Sequence, residues 1–494
     1  MATALAALAT ASASALAASA ATPAGFVPGL KLGPCARADL PAAAQCGVFR
    51  VAEDPHRKPA RILELKVIVL PARANRPLEP VFAIPGGPGA IETEHAADLA
   101  NSWLDEEHPV VMLDPRGSDP ETGLDCPADG DRFVQEPTPI YDEGEAFWRA
   151  CRDRLARRAD LTRYTTPLEI EDLDALRRAL GYDKIDVYGA SYGTRVATGY
   201  IHAHGDHVRA ALLTGLLPMS NRIPLFHAEA AQRAFDQLVA ECAADAACRA
   251  AFPSVRADLT RVLERLRREP ATVGFTDEES HQPVTLKLTA DSVAETIRLM
   301  MYENENRRRI PLLLHLAAAG DLQALAQKTR GVGNIRGEVR LGEQLSVSCS
   351  EDVWRIRPGE IAGAVGSSFL GEDRVRGEMA ACALWPTARL PKSYYAPFRS
   401  SVPTVLVSGE YDPVTPPKWG EEARKTFPVS LHLVTQDGHA DVNPCVAGIA
   451  LQVFRTGSVA GVDTACMAQE KLPPFALPPE PPPEPPPEPP QDRK

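Results

Sequence analysis

The pentapeptide Gly189-Ala190-Ser191-Tyr192-Gly193 constrains this chain more than any other stretch. It follows the apolar run Ile185-Asp186-Val187-Tyr188 and precedes Thr194 to His202, which reads as helix. The pattern predicts a strand, a sharp turn and a helix, with a serine at the apex of the turn. A turn this tight forces the serine into strained backbone angles, and the flanking glycines make room for it. The hydroxyl then projects above the sheet, where a base can reach it.

Three further motifs agree with this reading. Val81-Phe82-Ala83-Ile84 reads as a buried strand running into the loop Pro85-Gly86-Gly87-Pro88-Gly89. Acyl transfer passes through a tetrahedral oxyanion that needs backbone N–H donors already aimed at it. Tyr192, after the serine, and Gly87 in the glycine loop are the expected donors, with Gly86 the near alternative. Thr404 to Gly409 reads as a strand followed by Glu410-Tyr411-Asp412-Pro413-Val414-Thr415-Pro416, which places an acid on a proline-stiffened loop. Leu431-His432-Leu433-Val434 precedes Asp437-Gly438-His439, which places a histidine on a glycine loop. The order Ser191, Asp412, His439 suits a nucleophile, an orienting acid and a general base. Glu410 is the rival acid; Asp412 is preferred because it lies further past the strand end. Asp437 and Asp441 read as solvated loop charges.

These motifs, with Asp114-Pro115-Arg116-Gly117 and with Thr194-Arg195 after the serine turn, resemble the secreted tripeptidyl aminopeptidases of bacteria, among the proline iminopeptidase-like serine peptidases. The resemblance runs from about Cys46 to Cys466. It implies an α/β-hydrolase fold with a mostly parallel sheet and an inserted helical cap. It also implies an exopeptidase that releases short N-terminal peptides, tripeptides among them, or single residues from a free amino terminus. The family uses cap acids to hold the substrate ammonium group, and Glu351 in Cys349-Ser350-Glu351-Asp352 is the candidate here; a helix N-cap is the structural alternative. Ala90-Ile91-Glu92 replaces the small residues usual after the glycine loop, and Thr214-Gly215 stands where the family tends to have Asp-Gly. An esterase or general serine hydrolase would use the same triad. A non-catalytic binding protein on this fold is disfavoured by the complete set of motifs.

The organisation expected from periodicity fits that reading. Residues 35–218 form the first part of the core, 219–400 a helical insert, 401–470 the rest of the core, and 471–494 a proline-rich tail outside the fold. Two strands are expected between Cys46 and Ala72, and insert helices over Ala228–Cys242, Arg256–Arg268, Asp291–Met301, Ile310–Ala318 and Asp321–Lys328. Residues 1–20 are nearly all Ala, Thr, Ser and Leu and end in Ala18-Ser19-Ala20, as a signal peptide would, although no Lys or Arg precedes Lys31. Ten cysteines fall as neighbours, Cys35-Cys46, Cys126-Cys151, Cys242-Cys248, Cys349-Cys382 and Cys445-Cys466, and are expected to pair in that order in a secreted or periplasmic protein.

With 65 acidic and 53 basic residues the chain carries a net charge of −12, which argues against nucleic acid as a partner. Arg307-Arg308-Arg309 reads as a solvated helix end. His202, His204 and His207 read as a helix terminus rather than a metal site. No metal, cofactor or membrane span is expected; the partners would be peptide substrates, and the oligomeric state is left open.

Overall fold

The computed structural model describes residues 29–119, 121–126, 143–278, 280–335 and 339–478. The expected signal segment and the chain beyond residue 478 lie outside them. The strands are β1 (Gly29–Pro34), β2 (Gln45–Ala52), β3 (Ile62–Leu70), β4 (Val81–Ile84), β5 (Val110–Leu113), β6 (Ile185–Ala190), β7 (Val208–Thr214), β8 (Ala271–Thr276), β9 (Pro283–Leu288), β10 (Thr404–Gly409) and β11 (Ser430–Thr435). Among the described residues, nine of them form one sheet in the order β1-β2-β3-β5-β4-β6-β7-β10-β11. The first three lie antiparallel at one edge, and β5 through β11 in that order run parallel. β2 and β3 are the two strands expected after Cys46, and β1 extends the sheet beyond that expectation.

Alternation along the central strands explains the layering. Phe82, Ile84, Val187 and Leu213 face one cluster, against α2 (Thr166–Ala179), α3 (Tyr192–His204) and α11 (Pro417–Ala423). Val81, Ala83, Leu212 and Val405 face another, against α12 (Pro444–Thr456). The register pairs Ile84 with Gly189, Ala190 with Thr214 and Gly409 with Thr435. The carboxyl ends of β4, β6, β7, β10 and β11 therefore line up along one edge, where open α/β sheets place their ligands.

Between β7 and β10 the chain forms a separate helical layer. It contains α4 (His227–Ala244), α5 (Val255–Arg268), α6 (Ala290–Met300), α7 (Ile310–Ala319), α8 (Gln323–Ile335), α9 (Leu341–Glu351) and α10 (Asp373–Cys382). It also holds a β8–β9 antiparallel hairpin that helical periodicity alone did not suggest. The border at residue 218 is not clean. Helix α1 (Glu145–Ala156) shares a buried cluster with Leu341, Leu345 and Trp385, so a core helix props the insert. The tail boundary also moves. Phe475 is buried in the insert's own cluster beneath the guanidinium of Arg308, 4.0 Å from its ring, so residues 471–478 belong to the fold.

The structure joins the cysteines as Cys35–Cys46, Cys126–Cys151, Cys242–Cys248, Cys349–Cys382 and Cys445–Cys466. Each closes a local loop. The arginine run is not solvated as expected: Arg307 and Arg308 are buried against Glu241, and only Arg309 is exposed. The histidines diverge. His202 stacks on Phe398, His204 meets Glu171, and His207 meets the Asp183 carbonyl. No group of three or more metal-ligating residues is found among the described residues, nor any helix long and apolar enough to cross a membrane.

Candidate active site

Ser191 sits at the end of β6 with φ 55° and ψ −120°, a strained conformation for a residue with a side chain. Its two glycines are there for space. A Cβ on Gly189 would lie 2.6 Å from the Gly193 carbonyl oxygen, and one on Gly193 would lie 2.3 Å from that of Ile84. The turn and the β4 loop are thus in backbone contact. Gly86 comes close enough that an added Cβ would stand 3.3 Å from the Ser191 Cβ, and Gly87 takes φ 106°, the left-handed region open to glycine. Tyr192 opens α3, so its N–H belongs to the first helical turn, where no intrahelical acceptor exists.

The structure brings Ser191, His439 and Asp412 together. Ser191 Oγ lies 2.9 Å from His439 Nε2, and His439 Nδ1 lies 2.8 Å from Asp412 Oδ2. Asp412 is fully buried and accepts from the N–H groups of Val414 and Thr415 and from the Thr415 hydroxyl, at 2.7 to 2.8 Å. Burial alone would push its carboxyl up. The charge and hydrogen bond of His439 and the bonds from Thr415 outweigh that and hold it below the ordinary carboxylate range. Glu410, the rival acid, turns away and pairs with Arg233 of α4 at 2.6 Å. Thr415, also 3.2 Å from His439 Nδ1, is a member of the site that motif reading passed over. Its place three residues after the acid, in Asp412-Pro413-Val414-Thr415, was the available signal.

Glu351 is not an open acceptor. It is fully buried at the end of α9, and its oxygens accept from the Thr166 N–H, the Thr166 hydroxyl and the Tyr394 hydroxyl at 2.6 to 2.8 Å. Thr166 begins α2, so Glu351 caps the start of a different helix while ending its own. The Thr166 hydroxyl also lies 2.7 Å from the Tyr192 phenol, which is 3.2 Å from Glu169 Oε2. Next to it Asp352 binds Arg195 of α3 and Arg355. For Glu351, offered by the sequence as a partner for the substrate ammonium group, the structure displays the helix-capping role: its carboxylate ties the insert to the start of α2, while Asp352 ties it to α3. Asp437 is likewise tied, by Asn304 and Asn443, and is not a free loop charge.

Several buried acids titrate above the ordinary carboxylate range. Burial is the largest cause, pushing Glu92 and Glu169 up to about 8 and Glu378 to about 7, with Glu343 well above its ordinary range. In the unfolded chain these groups ionise near pH 4.5. The folded state thus binds more protons between that pH and about 8, and each group's contribution is lost as pH rises through its folded value, by about 1.4 kcal/mol per pH unit. The expected result is a melting temperature that falls from pH 5.5 to 8.5, with a shallower fall in Glu169→Gln. A melting temperature that rises over that interval contradicts the assignment.

Comparison with known proteins places this geometry. A family model for the alpha/beta hydrolase fold matches residues 79–442. The chain is similar to "Serine protease Hip1" of Mycobacterium tuberculosis, 26% identical over 445 residues that cover 81% of this chain and 82% of the relative. It is 28% identical to "Tripeptidyl aminopeptidase" of Streptomyces lividans over 197 residues, 36% of each chain. It is 22% identical to "Putative hydrolase YuaR" of Escherichia coli over 411 residues, covering 78% of this chain and 79% of the relative.

Proposed function

We propose that this chain, which belongs to the α/β-hydrolase family, is a serine exopeptidase that cleaves short peptides from a free amino terminus. The observation that carries the reading is the continuous Ser191–His439–Asp412 hydrogen-bond chain at the carboxyl edge of the sheet, roofed by the helical insert. In this reaction Ser191 Oγ attacks the substrate carbonyl carbon while His439 Nε2 takes its proton. Asp412 holds the imidazole in the tautomer with the proton on Nδ1 and stabilises the imidazolium that forms. The N–H groups of Tyr192 and Gly87 receive the oxyanion, with Gly86 the alternative second donor. His439 then gives its proton to the departing amine, and water, activated by the same base, releases the acyl group. The chemistry needs no cofactor.

The names borne by the similar proteins support a peptide rather than an ester substrate. Five disulfides suit an oxidising compartment, and we place the enzyme outside the cytoplasm, with residues 1–20 as its export signal.

Anilides of a single residue and of a tripeptide, each with a free and an acetylated amino terminus, test the reading. Release from the free tripeptide and at least ~100-fold slower release from its acetylated form is the expected result. Equal cleavage of blocked substrates, or hydrolysis of simple esters alone, would leave a general serine hydrolase in its place.

A further inference from the structure

The insert touches every loop that carries a functional group. Val339 pairs with Ala90 in an isolated β-bridge, and the Arg340 N–H donates to the Gly89 carbonyl at 2.9 Å, beside the glycine loop. Asp352 binds Arg195 in the first turns of α3. Arg233 holds Glu410, and Arg307 lies 3.7 Å over the ring of Tyr411, both on the acid's loop. The contact that reaches a member of the triad is on the histidine loop. There the Tyr302 carbonyl, just past α6, accepts the His439 N–H at 2.8 Å. Gly438 packs so tightly on it that an added Cβ would lie 2.1 Å from that oxygen. The Tyr302 ring lies against the imidazole, with centroids 4.7 Å apart and planes tilted by 57°.

Three polar atoms hold the imidazole by its edges: Ser191 Oγ, Asp412 Oδ2 and Thr415 Oγ1. Edge bonds fix the direction of each nitrogen but leave the ring free to tip about the line joining them. A ring packed beside the imidazole opposes that tipping. Tyr302 is itself held: its hydroxyl accepts from Arg298 Nη1 at 2.9 Å, and Arg298 is buried in a bidentate pair with Glu295, which Arg374 also binds.

We propose that Tyr302 is a positioning residue for His439, its ring packed against the general base and its carbonyl fixing the base's loop, so that the base is aimed from the insert as well as from the sheet. The proposal rests on His439 being the base of the reaction above. Misplacement of a reacting group by about 1 Å costs on the order of 100-fold in rate. Tyr302→Phe keeps the ring and should stay within about threefold of the parent. Tyr302→Leu removes it and should lose about 10- to 100-fold in kcat, with KM within about threefold, because the defect is in aim and not in substrate contact.

The rate of labelling by a fluorophosphonate reports nucleophile activation without peptide binding, and it should fall in the same proportion. The low-field proton resonance of the His439 Nδ1–H should broaden in the leucine variant and persist in the phenylalanine one. Tyr302→Met fills similar space with an unbranched chain and serves as the second variant if the leucine protein does not fold. Unchanged kcat and labelling in both non-aromatic variants overturn the proposal. So does a loss in Tyr302→Phe as large as in Tyr302→Leu, which would assign the effect to the Arg298 bond. Persistence of labelling in Ser191→Ala would instead overturn the triad reading on which the proposal stands.

Discussion

Ser191→Ala is expected to lower kcat by about 10⁶-fold while leaving the melting temperature within a few degrees of the parent. The asymmetry follows from what the hydroxyl does in the fold. It bonds His439 Nε2, and the turn is set by backbone contacts among Gly189, Gly193 and Ile84. Alanine keeps the Cβ and accepts the same φ of 55° at similar cost, so the elbow survives its own loss of function. Burst titration with a chromogenic acyl substrate makes the measurement direct: the parent releases one equivalent in the first turnover and the variant none. A variant that retained a burst would move the nucleophile to another residue.

Asp412→Asn should cost about 10⁴-fold in kcat, for a reason that can be traced atom by atom. Oδ1 of Asp412 accepts two backbone N–H groups, from Val414 and Thr415, so in the amide this position stays an oxygen. The amide nitrogen then faces His439 Nδ1 and offers it a proton. The imidazole answers by accepting there and carrying its own proton on Nε2, where it points at Ser191 and cannot receive the serine proton. The Thr415 hydroxyl, which donates to Oδ2 in the parent, meets a donor as well and must turn. Since Asp412 is fully buried, this variant should also lose stability, and activity per folded molecule is the quantity to compare. An activity within tenfold of the parent would show that orientation of the base does not depend on this acid.

Much of this site is legible in sequence because its parts are local. A strand, a tight turn and a reactive side chain occupy fewer than ten consecutive positions, and Gly-x-Ser-x-Gly, the glycine loop, Asp412 and Gly438-His439 each carry their own backbone requirement. The order of the three groups along the chain then follows from the fold. What was hidden depends on chain-distant contacts. Glu351 was a ligand candidate on the resemblance alone, since an acid beside Ser350 in a helical insert has no local feature that distinguishes a binding role from a capping one. Its true neighbours, Thr166 and Tyr394, come from elsewhere in the chain. Tyr302 has no motif at all; only the approach of α6 to the histidine loop reveals it. The β8–β9 hairpin was missed because two six-residue strands among helices give too few alternations to register, and Phe475 because a proline-rich tail draws attention from the one aromatic residue that anchors its start.

The way the five disulfides are distributed bears on how such an enzyme could change its diet. Two lie within the insert, three within the core, and none joins the two. The layers are coupled by side-chain and backbone contacts, among them those at Ala90, Thr166, Arg195, Glu410 and His439. A roof borrowed from a relative to obtain a new substrate preference would thus bring its own crosslinks and still leave the engine below it slowed, unless it arrived with counterparts of Arg233, Tyr302, Arg340 and Asp352. Selectivity and reactivity in this architecture are inherited together.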